Sequence, residues 1–320
     1  MKKKELCAVA CLFWLAACND PASDQIEIVK NLFPVQFSVQ LQKEVLPFSP
    51  TRSMPPNTVP EPTIPDESDP DKDHSDKELE DFCSTIEYLV YDNNDLTEPV
   101  KHHIYNVETE SDFSIVYDTL PAGNYQVCFL AYQAGKTSFT DNTFSFDKLS
   151  DTFYSTKRFE VKEGEETNMD VALERIVSRI EFRAIDPVPD NIKQFDISVK
   201  DYPTQLNILT KEGLPSSKEQ NFTYNFDTKD KGETGKTHSF YTFVAPGDKK
   251  ISVTLTSTDI GGQVMRRRIV SDILPIANKV IRYTGILYTP PKPDESENTF
   301  NLIIDNNGEW SEPEEKELPE

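Results

Sequence analysis

The side chains most able to do chemistry in this 320-residue chain are four histidines, five cysteines and one arginine triplet. His102 and His103 are adjacent in a segment that reads as a strand, so their rings point to opposite faces. That arrangement does not make a two-ligand metal site, and the two read as a solvated pair. His74 lies in an acidic stretch and His238 just ahead of a strand. Asp69, Asp71 and Asp73, with Glu80 at the twelfth position, have the spacing of a calcium loop. However, His74 stands where the turn glycine belongs, and prolines replace the entering helix. Arg266 and Arg268 share one face of a strand, where they would blunt an edge or pair with carboxylates. No GxSxG, HExxH, CxxC or glycine-rich phosphate loop occurs. The chain reads as non-enzymatic, with no catalytic residue, no metal site and no cofactor.

Cys18 carries the one covalent chemistry to which the sequence points. Lys2, Lys3 and Lys4 precede an apolar run from Leu6 to Leu15, which is shorter than the ~20 residues a membrane-spanning helix needs. The run ends in Leu15-Ala16-Ala17-Cys18, the pattern of a bacterial lipobox. Residues 1–17 therefore read as a lipoprotein signal peptide and Cys18 as the lipid attachment point, palmitate included. Two or more acyl chains there would make a lasting membrane attachment. Cys7 and Cys11 leave with the signal peptide. Cys83 and Cys128 remain, both in strand-like segments on an oxidising route, and they are either a disulfide or two separate thiols.

The charge narrows the partners. The formal net charge is −22, and residues 1–17 carry +2, so the remainder sits at −24. Nucleic acid is excluded as a partner on that ground. The acidity is concentrated: Glu61 to Asp81 holds ten carboxylates against two lysines, and Glu309 to Glu320 holds six against one. Such runs read as solvated and without a core of their own.

The elements that must position these residues are strands. Residues 35–45 alternate, with Val35, Phe37, Val39 and Leu41 on one face and Gln36, Ser38, Gln40 and Gln42 on the other. Residues 47–80 are a proline-rich acidic insertion, expected to be disordered. Beyond it, short β-branched and aromatic runs recur with no sustained helical period, so the fold class is all-β. Internal similarity divides the chain. Residues 84–92 (STIEYLVYD) match 178–186 (SRIEFRAID), and 113–132 match 239–258 around a Pro-plus-Gly turn. Residues 157–174 match 266–287. In the turns, Pro121 and Pro246 preset φ, and Gly123 and Gly247 are expected to take positive φ. The expected organisation is an N-terminal β-sandwich domain over 18–175 and a C-terminal one over 176–292, both Greek-key, followed by a strand and acidic tail over 293–320. Tyr88, Tyr91, Phe129, Tyr132, Phe240, Tyr241 and Phe243 read mostly as core. Outward-facing ones could hold a glycan.

Taken in order, several pieces resemble the Bacteroidales fimbrillin and fimbrial-anchor family. They are the lipobox, the early alternating strand, the insertion with TRSMPP, the LPAGNY turn, the junction LERIVSRIEF and the late FNLIIDNNGEW. The chain is most similar to the shorter anchor-type members, and sparse Asp20 and Asp24 resemble the surface-export signal of Bacteroidales lipoproteins. The resemblance implies two transthyretin-like domains and a lipid-anchored place on the outer membrane at the cell surface, within a fimbrium (pilus). It also implies that other fimbrial subunits are partners through strand exchange. It offers Arg52 as a protease site, and cleavage there would make the chain a shaft or tip adhesin subunit rather than an anchor. Two alternating segments suit donor-strand exchange: the first through Val35, Phe37, Val39 and Leu41, the second through Phe300, Leu302 and Ile304. A surface lipoprotein binding glycan, or a host protein or glycan receptor, is the rival expectation.

Overall fold

Residues 31–42, 79–133, 135–215, 219–292 and 300–305 are described by the computed structural model of the chain. Period-two alternation of apolar and polar residues becomes strand almost throughout. The first nine strands are β1 (Leu32–Leu41), β2 (Thr85–Asp92), β3 (Lys101–Asn106), β4 (Ile115–Pro121), β5 (Gly123–Tyr132), β6 (Thr137–Thr140), β7 (Thr143–Phe146), β8 (Thr152–Val161) and β9 (Thr167–Arg175). Seven of them form one sheet in the order β3-β2-β5-β8-β9-β1-β4. It folds over a core of Val35, Phe37, Val39, Ile86, Tyr88, Val90, Val127, Phe129 and Val171, which makes it a sandwich rather than a flat sheet. The chain enters β2 through one 3₁₀ turn, Leu79–Asp81, and Leu79, Phe82 and Cys83 are buried in the same core.

Ten strands follow: β10 (Val177–Ala184), β11 (Ile192–Lys200), β12 (Pro203–Asn207), β13 (Glu212–Pro215), β14 (Gln220–Asn225), β15 (Thr237–Phe243), β16 (Ile251–Asp259), β17 (Val264–Ile273), β18 (Val280–Gly285) and β19 (Asn301–Asp305). Two four-stranded sheets, β15-β10-β18-β19 and β14-β11-β16-β17, enclose the second core, which includes Ile180, Phe182, Phe195, Ile197, Val253 and Leu255. A fourth sheet, β13-β12-β7-β6, draws two strands from each half of the chain.

The pairing pattern occurs twice. β1 runs antiparallel to β4 and parallel to β9, and β10 runs antiparallel to β15 and parallel to β18. Likewise β3-β2-β5-β8 has the connectivity of β14-β11-β16-β17. Two of the three internal matches agree with this, since β4–β5 correspond to β15–β16 and β8–β9 to β17–β18. The match of 84–92 to 178–186 is one strand out of step, because 178–186 fills the place of β1 rather than β2. Alternation alone cannot distinguish two half-buried strands that share a face pattern.

The turn motif also differs from expectation. Gly247 has φ 72°, but Gly123 is not in the left-handed region. Its small size matters instead, because a Cβ there would stand 3.3 Å from the Tyr125 hydroxyl, which donates to the Pro121 carbonyl at 3.0 Å. The aromatic ring closes the corner that LPAGNY makes.

Candidate functional site

β1 is the element that most repays attention. It begins at Leu32, three residues ahead of the alternating stretch read from the sequence, and ends at Leu41. Pro34 is tolerated because the parallel pairing with β9 begins only at Val35. Val35, Phe37 and Val39 are buried, Leu41 is partly so, and Gln36, Ser38 and Gln40 face outward. The Phe37 ring lies 5.4 Å from Phe129, 5.4 Å from Phe159 and 5.7 Å from Tyr88, mostly edge-on. Both backbone edges are occupied, by β4 over Leu32–Ser38 and by β9 over Val35–Leu41. Burying the three fully covered side chains contributes roughly 5–9 kcal/mol as an upper figure. Phe159 joins this seat from β8, where its alternation with Val161 in KRFEV marks the inward face.

Local connectivity sets β1 apart from its counterpart. Only Ile176 separates β9 from β10, so β10 is bound into the chain on either side of the junction. β1 is joined to β2 through residues 42–84, and to no sheet neighbour by a short turn.

The second alternating segment is already paired. β19 lies antiparallel to β18, with Ile281 opposite Ile304 and Tyr283 opposite Leu302. Phe300 is buried edge-on to Tyr283 at 6.2 Å, and the Arg268 guanidinium lies over its ring at 4.1 Å. Arg268 also donates to the Ile286 carbonyl at 3.2 Å, and Arg266 donates to that of Thr289. The two arginines therefore share a face, as expected. That face points inward onto backbone carbonyls, because the segment after β18 crosses over it. Asp186 holds this segment, accepting from the amides of Leu287, Tyr288 and Thr289 at 2.8–2.9 Å.

Cys83 and Cys128 are both free and buried, so the disulfide option is corrected. They belong to different clusters, Cys83 to the one that includes the buried face of β1 and Cys128, in β5, to the one that includes the second core. Burial raises both thiol pKa values, which keeps them protonated.

His102 and His103 are both exposed, as expected of a solvated pair. His103 packs on Tyr105 at 4.6 Å. The Nε2 of His102 lies 2.7 Å from Glu87, a buried carboxylate that also accepts from the Tyr132 and Thr137 hydroxyls. His238 is in β15, fully inside the second core. Of the aromatic residues considered for glycan contact, Tyr241 is partly buried and the rest are buried. Among the described residues, no three His, Cys, Asp or Glu side chains converge as a metal site would require, and no helix is long and apolar enough to cross a membrane. Cys18, Arg52, residues 47–78 of the proline-rich insertion and the Asp69–Asp73 run lie outside the described residues, while the last two residues of that insertion lie in the 3₁₀ turn Leu79–Asp81, with Leu79 buried.

These features define an all-β protein of sandwich architecture, with β1 paired on both edges and joined to neither sheet neighbour by a short turn. The chain belongs to the fimbrillin-A associated anchor proteins Mfa1 and Mfa2, whose family model matches residues 68–313 and so begins after β1. Membership makes it a fimbrial protein of the cell surface. No curated protein matches by sequence. Among solved structures, a candidate polysaccharide-binding protein from Bacteroides thetaiotaomicron is similar in fold, with TM-score 0.51 and 10% identity over 86% of this chain and 96% of that one. The fimbrial anchor protein Mfa2 from Porphyromonas gingivalis has TM-score 0.45 and 11% identity, covering 86% and 98%. A fimbrial assembly protein from Parabacteroides distasonis has TM-score 0.45 and 10% identity, covering 90% and 100%.

Proposed function

We propose that this chain is a non-enzymatic fimbrial subunit of the anchor type, tethered to the outer membrane through lipidated Cys18, and that β1 is its exchangeable strand. The two sandwiches serve as its domains and meet at Ile176. The observation that carries the reading is β1 itself. It has two paired edges, an aromatic-lined seat for Phe37 and no short link to any sheet neighbour. Cleavage after Arg52 would separate β1 and the lipid from the body in covalent terms. Replacing β1 would then leave the edges of β4 and β9 for an extended segment of a partner. Uncut, β1 stays in place and keeps the body on the membrane, which is anchor behaviour. Six of the seven aromatic residues named for glycan contact are buried, which weighs against them as a stacking platform for a sugar ring, whereas Tyr117 of β4 is exposed.

Intact-mass and N-terminal analysis of protein from outer membranes and from sheared surface filaments tests this. A lipid-bearing Cys18 in the membrane fraction, co-purifying with filaments, is the expected result. A terminus at Ser53 in sheared polymer would reassign the chain as a shaft or tip subunit. A lipidated chain that never accompanies filaments would overturn the assembly role.

A further inference from the structure

We propose that the β6–β7 and β12–β13 hairpins are a clasp that makes the two sandwiches one cooperative body. Chains of two domains usually move about their link, and here the direct link is the single residue Ile176 between β9 and β10. The clasp supplies a second connection that does not run through that residue.

It can be followed bond by bond. Asn142 sits at the tip of the β6–β7 turn with φ 58°, a conformation Asn adopts more readily than most residues. Its Oδ1 accepts from the Tyr91 hydroxyl at 2.9 Å, and its Nδ2 donates to the carbonyls of Leu96 at 2.8 Å and Thr97 at 3.2 Å. The tip is thereby fixed to the first sandwich. The Asn142 carbonyl accepts from the Ile208 amide at 2.8 Å, and β7 pairs with β12 through Thr143–Asn207, Phe144–Leu206 and Ser145–Gln205. Gln205 Nε2 donates to Ser145 Oγ at 2.9 Å, and Tyr154 of β8 donates to the Ile208 carbonyl at 2.7 Å.

β12 carries the connection to β13, and β13 is pressed on the second sandwich. The Gly213 amide donates to Val244 O at 3.0 Å, and a Cβ on Gly213 would stand 2.6 Å from the Phe243 Cβ. Only glycine allows that approach. Beneath this sheet the apolar residues are continuous. Phe144 and Leu206 are fully buried, Phe146 meets Phe243 at 5.4 Å, and one cluster includes Leu89 and Leu130 from one side with Ile180 and Phe195 from the other. Arg175 adds a polar tie, pairing with buried Asp151 at 2.6 and 2.8 Å and donating to Asn278 at 3.0 Å.

Opening the clasp means breaking a ladder and exposing a shared core together, so neither sandwich is free to swivel or to unfold alone. The consequence for a tethered protein rests on the anchor reading: tension entering at one sandwich reaches the other through sheet hydrogen bonds as well as through Ile176. The clasp itself does not rest on it, and its test needs no filament.

The test is pulsed hydrogen exchange with mass spectrometry on the full mature chain across a urea series. Peptides from β2 and β5 should lose protection at the same urea concentration as peptides from β11 and β16, and two separate midpoints would overturn the proposal. Asn142→Gly keeps the positive φ while removing three side-chain hydrogen bonds. Exchange in β6, β7, β12 and β13 should then rise together by roughly 10- to 100-fold. Gly213→Ala loosens the clasp from its other end and should raise the same four strands. A rise confined to the hairpin carrying the substitution, in either variant, would refute the coupling.

Discussion

Stability should fall on mild acidification because of one histidine. His238 is packed against Phe195 at 4.4 Å and Tyr224 at 4.6 Å, with Phe226 and Tyr288 closing the cage. Its Nε2 shares a 2.7 Å hydrogen bond with the Tyr288 hydroxyl, and its buried Nδ1 has no hydrogen-bond partner among the described residues. Burial, with a smaller contribution from the Lys236 charge, lowers its pKa to about 3, while Asp230 pulls weakly the other way. An unfolded histidine titrates near ~6.5. Between these values the unfolded chain binds a proton that the folded chain refuses, so stability is fully present above the unfolded value and is lost as pH falls through this window. Moving from pH ~7 to ~5 should cost about 2 kcal/mol from this residue alone. The figure is insensitive to the folded value while that stays well below the assay pH. The assay is urea unfolding of the wild-type chain and of His238→Gln at both pH values. Gln does not titrate here, and shared carboxylate effects cancel in the difference. The stability difference between the two proteins should shift by about 2 kcal/mol against the wild type at the lower pH. A difference constant to within about 0.5 kcal/mol would show that the imidazole is hydrated or charged in the fold, and the cage argument would be wrong.

Two further outcomes are expected at the strands. Phe37→Ala should destabilise the uncut chain by about 3–5 kcal/mol, since three aromatic rings lose their common neighbour. After a cut in the 42–78 segment it should also speed the departure of β1, followed by mass spectrometry. An unchanged release rate would mean that the seat does not hold the strand. Truncation before residue 297 should leave both sandwiches folded by circular dichroism at a cost of about 2–3 kcal/mol for the lost Phe300 contact. It should also abolish incorporation into filaments. Normal filaments from that variant would remove β19 from the assembly reading.

Much of the fold was legible because strands announce themselves by period two. β1 is the clearest case, with inward Val35, Phe37 and Val39 and outward glutamines both visible in the sequence. The site was legible for the same reason, as an alternating strand beside a long insertion. What escaped was everything that depends on which strands become neighbours. The shift of one strand in the internal match, the inward Arg266 and Arg268, and the Glu87–His102 contact are all set by pairing across the sheet. Residue order does not encode such pairing locally. The clasp is the extreme instance. Asn142 and Ile208 lie in different halves of the chain, and nothing in NTFSF or TQLNI marks them as partners. Gly213 carried a faint signal, as a glycine inside a strand-like run, of the close backbone approach that the fold requires there.

Under the proposed exchange, the duplicated topology explains why β1 rather than β10 would be given up. β1 and β10 occupy equivalent places, each between an antiparallel and a parallel neighbour. Lifting β10 out would break the chain's own passage from β9 and strain the clasp beside it, because Ile176 leaves no slack. Lifting β1 out costs its burial and its two ladders, and needs no other strand to move. Duplication thus supplies two equivalent slots, and under the proposed exchange connectivity would make one permanent and leave the other open to replacement. Under the anchor reading the exchangeable strand is also the one nearest the lipid. A pull directed along β1 would load its hydrogen bonds to β4 and β9 in shear, all together rather than one after another. On the proposed reading, the strand that would be replaced after a cut is, in the intact chain, held by a ladder along each of its two edges.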